Sequence, residues 1–120
     1  MRTVQFIVPS DGEYTLVRQY LEMIKPIHKM TKAEMDVIAL IVQKSRERNG
    51  ELSRVLSLEG RLELRDELDI SENALNVLLS RLRRKKVLTA NELGSFLKAL
   101  EYDEEGLSVN FVLKLNAQKD

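Results

Sequence analysis

The chain has 120 residues, of which 43% are hydrophobic and 32% charged, and its 19 basic and 19 acidic residues leave no net charge. The length favours one domain with its own core, and the charge balance argues against a strongly basic protein that coats nucleic acid non-specifically. The lack of cysteine excludes disulfides and thiolate metal sites. No apolar run reaches the roughly 20 residues that span a bilayer. The N-terminus also lacks the apolar core of a signal peptide, so we expect a soluble, cytoplasmic protein.

The N-terminal segment predicts a strand and then a helix. The alternation in TVQFIV, residues 3–8, is typical of a strand. Ser10 and Glu13 then have the spacing of a capping box, which predicts a helix start at Ser10. Pro26 ends this helix. Its apolar face consists of Tyr14, Val17, Leu21 and Ile24.

The next segment predicts a longer helix. Thr31 and Glu34 form a second capping box, and Gly50 is a natural stop. The apolar face between them contains Val37, Ile38, Ile41 and Val42. Residues 50–57, GELSRVLS, are ambiguous and fit either a short strand or a turn.

Two closely spaced helices follow. The first is LEGRLELRDEL, with Leu64 and Leu68 one turn apart, and Asp69 and Ile70 make the turn after it. Ser71 has the residue type and position of an N-cap for the second helix. Leucines line one face of that helix, namely Leu75, Leu78, Leu79 and Leu82.

The C-terminal third predicts a return to extended structure. Residues 89–100 fit either a short helix capped by Thr89 or a loop anchored by Phe96 and Leu97. The acidic EYDEEG segment predicts a loop. The alternation in LSVNFVLKLN, residues 107–116, predicts a strand.

Residues 63–82 match the apolar spacing of a helix-turn-helix, and the order of the predicted elements extends the match. The stretch resembles the winged helix-turn-helix domains of bacterial and phage DNA-binding proteins, and most of the chain is similar to small winged-helix proteins of tailed bacteriophages. The resemblance implies an α+β fold, with residues 1–29 as an extra N-terminal strand and helix and residues 30–120 as the winged domain. Two positions depart from the pattern. Asp69 replaces the usual turn glycine, and Arg65 replaces a packed alanine and is expected to extend outward.

The resemblance also implies a DNA-binding surface on the second helix, which would lie in the major groove. The candidate base contacts are Asn73, Asn76, Val77 and Ser80, since asparagine pairs with adenine and valine meets the thymine methyl. The candidate phosphate contacts are the basic residues that follow, Arg81, Arg83, Arg84, Lys85 and Lys86. We therefore expect a protein that binds double-stranded DNA, most simply a transcriptional regulator, with a homodimer as the usual form of such proteins.

Three alternatives remain open from the sequence. Basic residues at a helix C-terminus are also expected from the helix dipole alone. The acidic loop Glu101–Glu105 would repel phosphate and fits a protein partner, as in an interaction or assembly module. A DNA-recognition subunit of a phage packaging or replication complex is the third alternative.

Nothing in the sequence predicts an enzyme. His28, the single histidine, has no carboxylate at ligand spacing, and we expect a packing or surface role for it. The chain has no glycine-rich phosphate loop and no metal-binding motif. We therefore expect neither a metal nor another cofactor.

Overall fold

The structure is a computed structural model that describes residues 5, 7–48, 51–89, 92–98, 100, 102, 105–109 and 115. Its regular elements within these residues are helices: α1 (Glu13–Met23), α2 (Lys25–His28), α3 (Lys32–Glu47), α4 (Leu52–Val55), α5 (Leu58–Leu68), α6 (Glu72–Arg84) and α7 (Ser95–Lys98).

The prediction of an α+β winged fold is wrong, because no sheet forms within the described ranges. Of the two predicted strands, residues 5, 7, 8, 107–109 and 115 lie outside any strand, and the other residues of both lie outside the described ranges. Leu88 and Leu93 form an isolated antiparallel bridge rather than a strand pair. Alternating apolar residues show only that a strand would have one apolar face. A sheet also needs a neighbouring strand to pair its backbone N–H and C=O groups.

Helix α3 is the centre of the fold. Helices α1, α4, α5 and α6 all pack against it. Its apolar residues are buried around nearly the whole circumference between Met35 and Val42. A helix that is apolar on all sides is expected at the centre of a helical domain, and this explains why α3 organises the others.

Of the helix starts predicted at Ser10 and Thr31, only the one at Thr31 is the N-cap that the structure shows. Thr31 accepts a hydrogen bond from the Glu34 amide at 3.2 Å and caps α3, as predicted. The capping box is only half formed, because the Glu34 carboxylate pairs with Lys85 instead of the Thr31 amide. Ser10 does not cap α1, because its hydroxyl bonds to the Gln19 side chain, and Gly12 takes the N-cap position. Pro26 lies in the first turn of α2, where its missing amide hydrogen is not needed.

The ambiguous segment before α5 forms the single helical turn α4, not a strand. Ser57 links α4 to α5, since its hydroxyl donates to the Arg54 carbonyl at 2.7 Å and accepts from the Gly60 amide at 3.2 Å. A Cβ at Gly60 would lie 2.1 Å from the carbonyl oxygen of Val55. Only glycine therefore permits α5 to approach α4 this closely.

The turn between α5 and α6 has the predicted features. Asp69 adopts a left-handed conformation, with φ 53° and ψ 52°, and ends α5. The Ser71 hydroxyl accepts from the Ala74 amide at 3.1 Å and caps α6. Arg65 does not extend fully outward as expected. It is half-buried, and its Nε is buried without a hydrogen-bond partner.

The chain after α6 folds back onto the core. Val87 and Leu88 are buried, and Thr89 forms a tight turn with Glu92 rather than capping a helix. The short helix α7 begins later, at Ser95. It places Leu97 in the core and Phe96 at its edge.

Candidate nucleic-acid interface

Helix α6 is amphipathic, and its inner face is fixed by the core. Leu75, Leu79 and Leu82 are at most 1% exposed, and Leu78 is 8% exposed. They pack towards α3. Together with the Ser71 cap, these contacts decide which face of α6 is left to solvent.

The predicted base-contact residues lie on that outer face. Asn73, Asn76, Val77 and Ser80 are all exposed. The side chains of the two asparagines and the serine have no hydrogen-bond partner in the described part of the chain. Their amide and hydroxyl groups are therefore available to an external ligand.

Four of the five predicted phosphate contacts are also exposed and free of ion pairs within the described residues: Arg81, Arg83, Arg84 and Lys86. Lys86 has a positive φ of 61° and lies where α6 has ended. The four cations thus extend from the last turn of α6 and the residue beyond it. This end of α6 is strongly cationic, although the protein as a whole is neutral.

Lys85 differs from its neighbours because its ammonium group is paired with other residues of the protein. Its Nζ lies 2.8 and 3.0 Å from the two carboxylate oxygens of Glu34 and 3.1 Å from the carbonyl oxygen of Lys29. Glu34 is 1% exposed, so Lys85 neutralises a buried carboxylate. Its role is to fix the end of α6 to the start of α3, and it is not placed with the free cations.

A signal for this ion pair was present in the sequence. Glu34, Ile38 and Ile41 are spaced four and three apart, which puts the carboxylate on the buried face of α3. A carboxylate on a buried face requires a cation nearby. The sequence did not indicate which of the five basic residues supplies it, because that depends on how α3 is placed against α6 in the folded protein.

An open cleft of about 280 Å³ lies between the end of α6 and the start of α3. Its walls are Thr31, Glu34, Arg81, Arg84 and Lys85. Because Lys85 already neutralises Glu34, the two arginines give the cleft an excess of positive charge.

Helix α5 contributes acidic residues of two kinds. On the side that faces α3, Glu63 pairs with Arg48 at 2.8 Å, and Lys44 lies 3.4 Å from Glu63 and 3.1 Å from Glu67. The hydrogen bond from Arg48 lowers the pKa of Glu63. Four other exposed carboxylates in α5, its junction with α6 and the start of α6 have no hydrogen bond or ion pair within the described ranges; they are Glu59, Asp66, Asp69 and Glu72.

The predicted acidic loop Glu101–Glu105 lies mostly outside the described residues. Tyr102 is one anchor of this loop, since its hydroxyl donates to Glu13 at 3.1 Å. The Arg46 guanidinium lies 3.9 Å above the Tyr102 ring and pairs with the same carboxylate at 2.8 Å. Burial, followed by the bond to Glu13, raises the pKa of Tyr102 to about 12.

His28 is hydrogen-bonded within the fold at both ring nitrogens. The Met30 amide donates to Nδ1 at 2.9 Å, so Nε2 carries the proton that it donates to the Leu21 carbonyl at 2.7 Å. The ring also stacks on Phe96, with centroids 6.2 Å apart. These contacts show a packing role at the junction of α1, α2 and α7.

The described residues lack two further features, a cluster of metal ligands and a membrane-spanning helix. No three histidine, cysteine or carboxylate side chains come together there as metal ligands would. None of the described helices has the length and apolar composition needed to cross a bilayer.

Comparisons with protein-family models, curated proteins and solved structures find no match to this chain.

Proposed function

We propose that the protein binds double-stranded DNA through the outer face of α6, most simply as a regulator of transcription. The observation that carries the proposal is the division of α6 into a buried leucine face and an exposed face with unpaired asparagines and cations. A helix of 13 residues is about 20 Å long and about 10–12 Å across. A major groove about 12 Å wide accepts such a helix.

The roles of the side chains follow from their chemistry. Asn73 and Asn76 are suited to bidentate hydrogen bonds with adenine, and Val77, 46% exposed, is suited to contact a thymine methyl group. Ser80 adds a hydroxyl next to them. The free cations supply phosphate contacts, which set position and affinity rather than sequence preference.

The test is a salt titration of binding to a random-sequence duplex, starting at about 50 mM salt, where electrostatic affinity is strong. Four phosphate contacts predict that log K falls with log salt at a slope of roughly −3 to −4. The double variant Arg83→Ala with Arg84→Ala should reduce the steepness of that slope by about 2.

The matched control is Arg54→Ala, since Arg54 is an exposed arginine on α4, which packs on α3 and α5. It should leave the slope unchanged. Absence of binding at low salt, or equal effects of the α6 and α4 variants, would contradict the proposal.

A further inference from the structure

The outer surface of α6 has opposite unpaired charges at its two ends. Glu72 lies at its start, next to the exposed Asp69, and Arg83 and Arg84 lie at its end. The two ends are about 17 Å apart along the helix. None of these side chains has an ion-pair partner in the described part of the chain. When two copies of such a surface are placed antiparallel, the negative end of each lies against the positive end of the other.

We propose that two copies of the protein associate through antiparallel α6 helices. Because the same surface would bind DNA, a second copy and DNA then compete for it. Self-association stands on the charges of α6 alone, while the competition with DNA rests on the proposed function. A two-fold dimer brings the same surface of both copies together, so each contact occurs twice.

The spacing along α6 identifies the pair of charges that would meet. Glu72, Asn76 and Arg83 are four and seven residues apart and lie on one stripe of the helix. In an antiparallel pair related by a two-fold axis, each edge stripe runs beside the same stripe of the other helix. Glu72 then faces Arg83 of the partner subunit, and the reverse contact completes the pair.

The centre of the surface favours close approach of the two helices. Asn76, Val77 and Ser80 have short side chains and are exposed. Packed helices lie about 8–10 Å apart, depending on the side chains between them, and short side chains allow the lower end of that range. Val77 supplies an apolar contact between the two groups of charges.

The first experiment measures molecular mass by light scattering or sedimentation at low and high salt. We expect a dimer at about 50 mM salt and dissociation towards about 1 M salt, where the Debye length falls to about 3 Å. A monomer at low salt throughout the accessible concentration range would overturn the proposal.

Charge reversals then locate the interface. Glu72→Arg and Arg83→Glu should each weaken self-association by on the order of tenfold or more, because each places like charges in contact twice. An equimolar mixture of the two variants should associate again, since every contact then joins opposite charges. Circular dichroism of each variant checks that it is folded.

The matched control is Glu59→Arg, which reverses an exposed carboxylate in the first turn of α5 in the same way that Glu72→Arg does in α6. It should leave the dimer intact. A dimer that persists in both α6 variants, or a mixture that stays monomeric, would exclude this interface.

DNA binding separates the two proposals. Glu72→Arg should weaken the dimer while it strengthens binding to duplex, whereas Arg83→Glu should weaken both. A wild-type dimer that shows no affinity for duplex would refute the proposed function and leave self-association standing. Dimer and DNA bound together through α6 would refute the competition.

Discussion

Asp69 holds the left-handed position on which the junction of α5 and α6 depends. Its φ of 53° is unfavourable for a residue with a side chain, although aspartate tolerates it better than most. Its negative charge lies between the C-terminus of α5, where the helix dipole disfavours an anion, and the N-terminus of α6, where the dipole favours one, so the backbone conformation is the larger effect. Asp69→Gly should therefore raise the free energy of unfolding by about 0.5–1 kcal/mol, as measured by denaturant unfolding at a salt concentration that keeps the protein monomeric.

Two control variants separate the effect of the Asp69 charge on stability from the effect of its positive φ. Asp69→Asn removes the charge and keeps the tolerance for a positive φ, so it should stabilise less than glycine. Asp69→Ala removes the charge but adds backbone strain, and it should be the least stable of the three. A glycine variant less stable than wild type would contradict this explanation and show that the Asp69 side chain makes a stabilising contact.

The three tyrosines of the protein give a test by pH. Burial raises the pKa of Tyr14 and Tyr20 above 10, and burial together with Glu13 raises that of Tyr102 to about 12. A raised phenol pKa stabilises the folded state below the unfolded pKa of 10, and this contribution is lost as the pH rises towards 12. Stability should therefore fall between pH 10 and about 12.

Absorbance of the phenolate group measures this titration directly. In the folded protein no tyrosine should ionise with its ordinary pKa, while in denaturant all three should. Tyr102→Phe should remove the transition at the highest pH. A folded protein in which one tyrosine titrates normally would contradict the burial described for that residue.

Among the helices, α6 has one face that is packed in the core and one that is exposed to solvent. Leu79 is 1% exposed and Val77 is 46% exposed, although both are aliphatic residues of the same helix. Leu79→Ala should lower the free energy of unfolding by about 2–5 kcal/mol because it leaves a cavity. Val77→Ala should change it by less than about 0.5 kcal/mol. Chemical denaturation of the two variants makes the comparison, and similar losses would mean that the outer face of α6 is packed.

The helices were largely predictable from the sequence, but the strands were not. Polar caps at Thr31 and Ser71 and the leucine spacing of α6 act locally, and a local signal can be read from a single chain. The predicted strands required partners distant in the sequence, and alternation alone does not specify a partner. Residues 51–57 show the same limit, since a few apolar residues fit a strand as well as the single turn of helix that forms.

At the level of the whole molecule, the contact between Lys85 and Glu34 joins the two helices that frame the candidate interface. Lys85→Met should leave a buried carboxylate without its cation and lower the free energy of unfolding by about 3 kcal/mol, the lower end of the cost of breaking a buried pair, because Lys85 itself is partly exposed. The neighbouring variant Arg84→Met removes a free, exposed cation and should change stability by less than about 0.5 kcal/mol. Thermal and denaturant unfolding test the difference, and equal losses would refute the structural role assigned to Lys85.

The candidate interface was predicted as a group of residues, and the structure refines which of them are available. The leucine face indicated that Asn73, Asn76 and Ser80 would be exposed, because residues off a buried stripe face solvent. The pairing of Lys85 with Glu34, which makes Lys85 unavailable to phosphate, depends on the position of α3 relative to α6. That relation is set by tertiary packing and does not appear in the local pattern of either helix.

The proposed function requires that the outer face of α6 contacts the phosphates and base edges of DNA. The most direct measurement is nuclear magnetic resonance of the isotope-labelled protein titrated with a short duplex at low salt. We expect the largest shifts at the side-chain amides of Asn73 and Asn76 and at the guanidinium groups of Arg81 and Arg84, with little change in α1. Shifts concentrated on α1 and α2, or none at any duplex concentration, would contradict the claim.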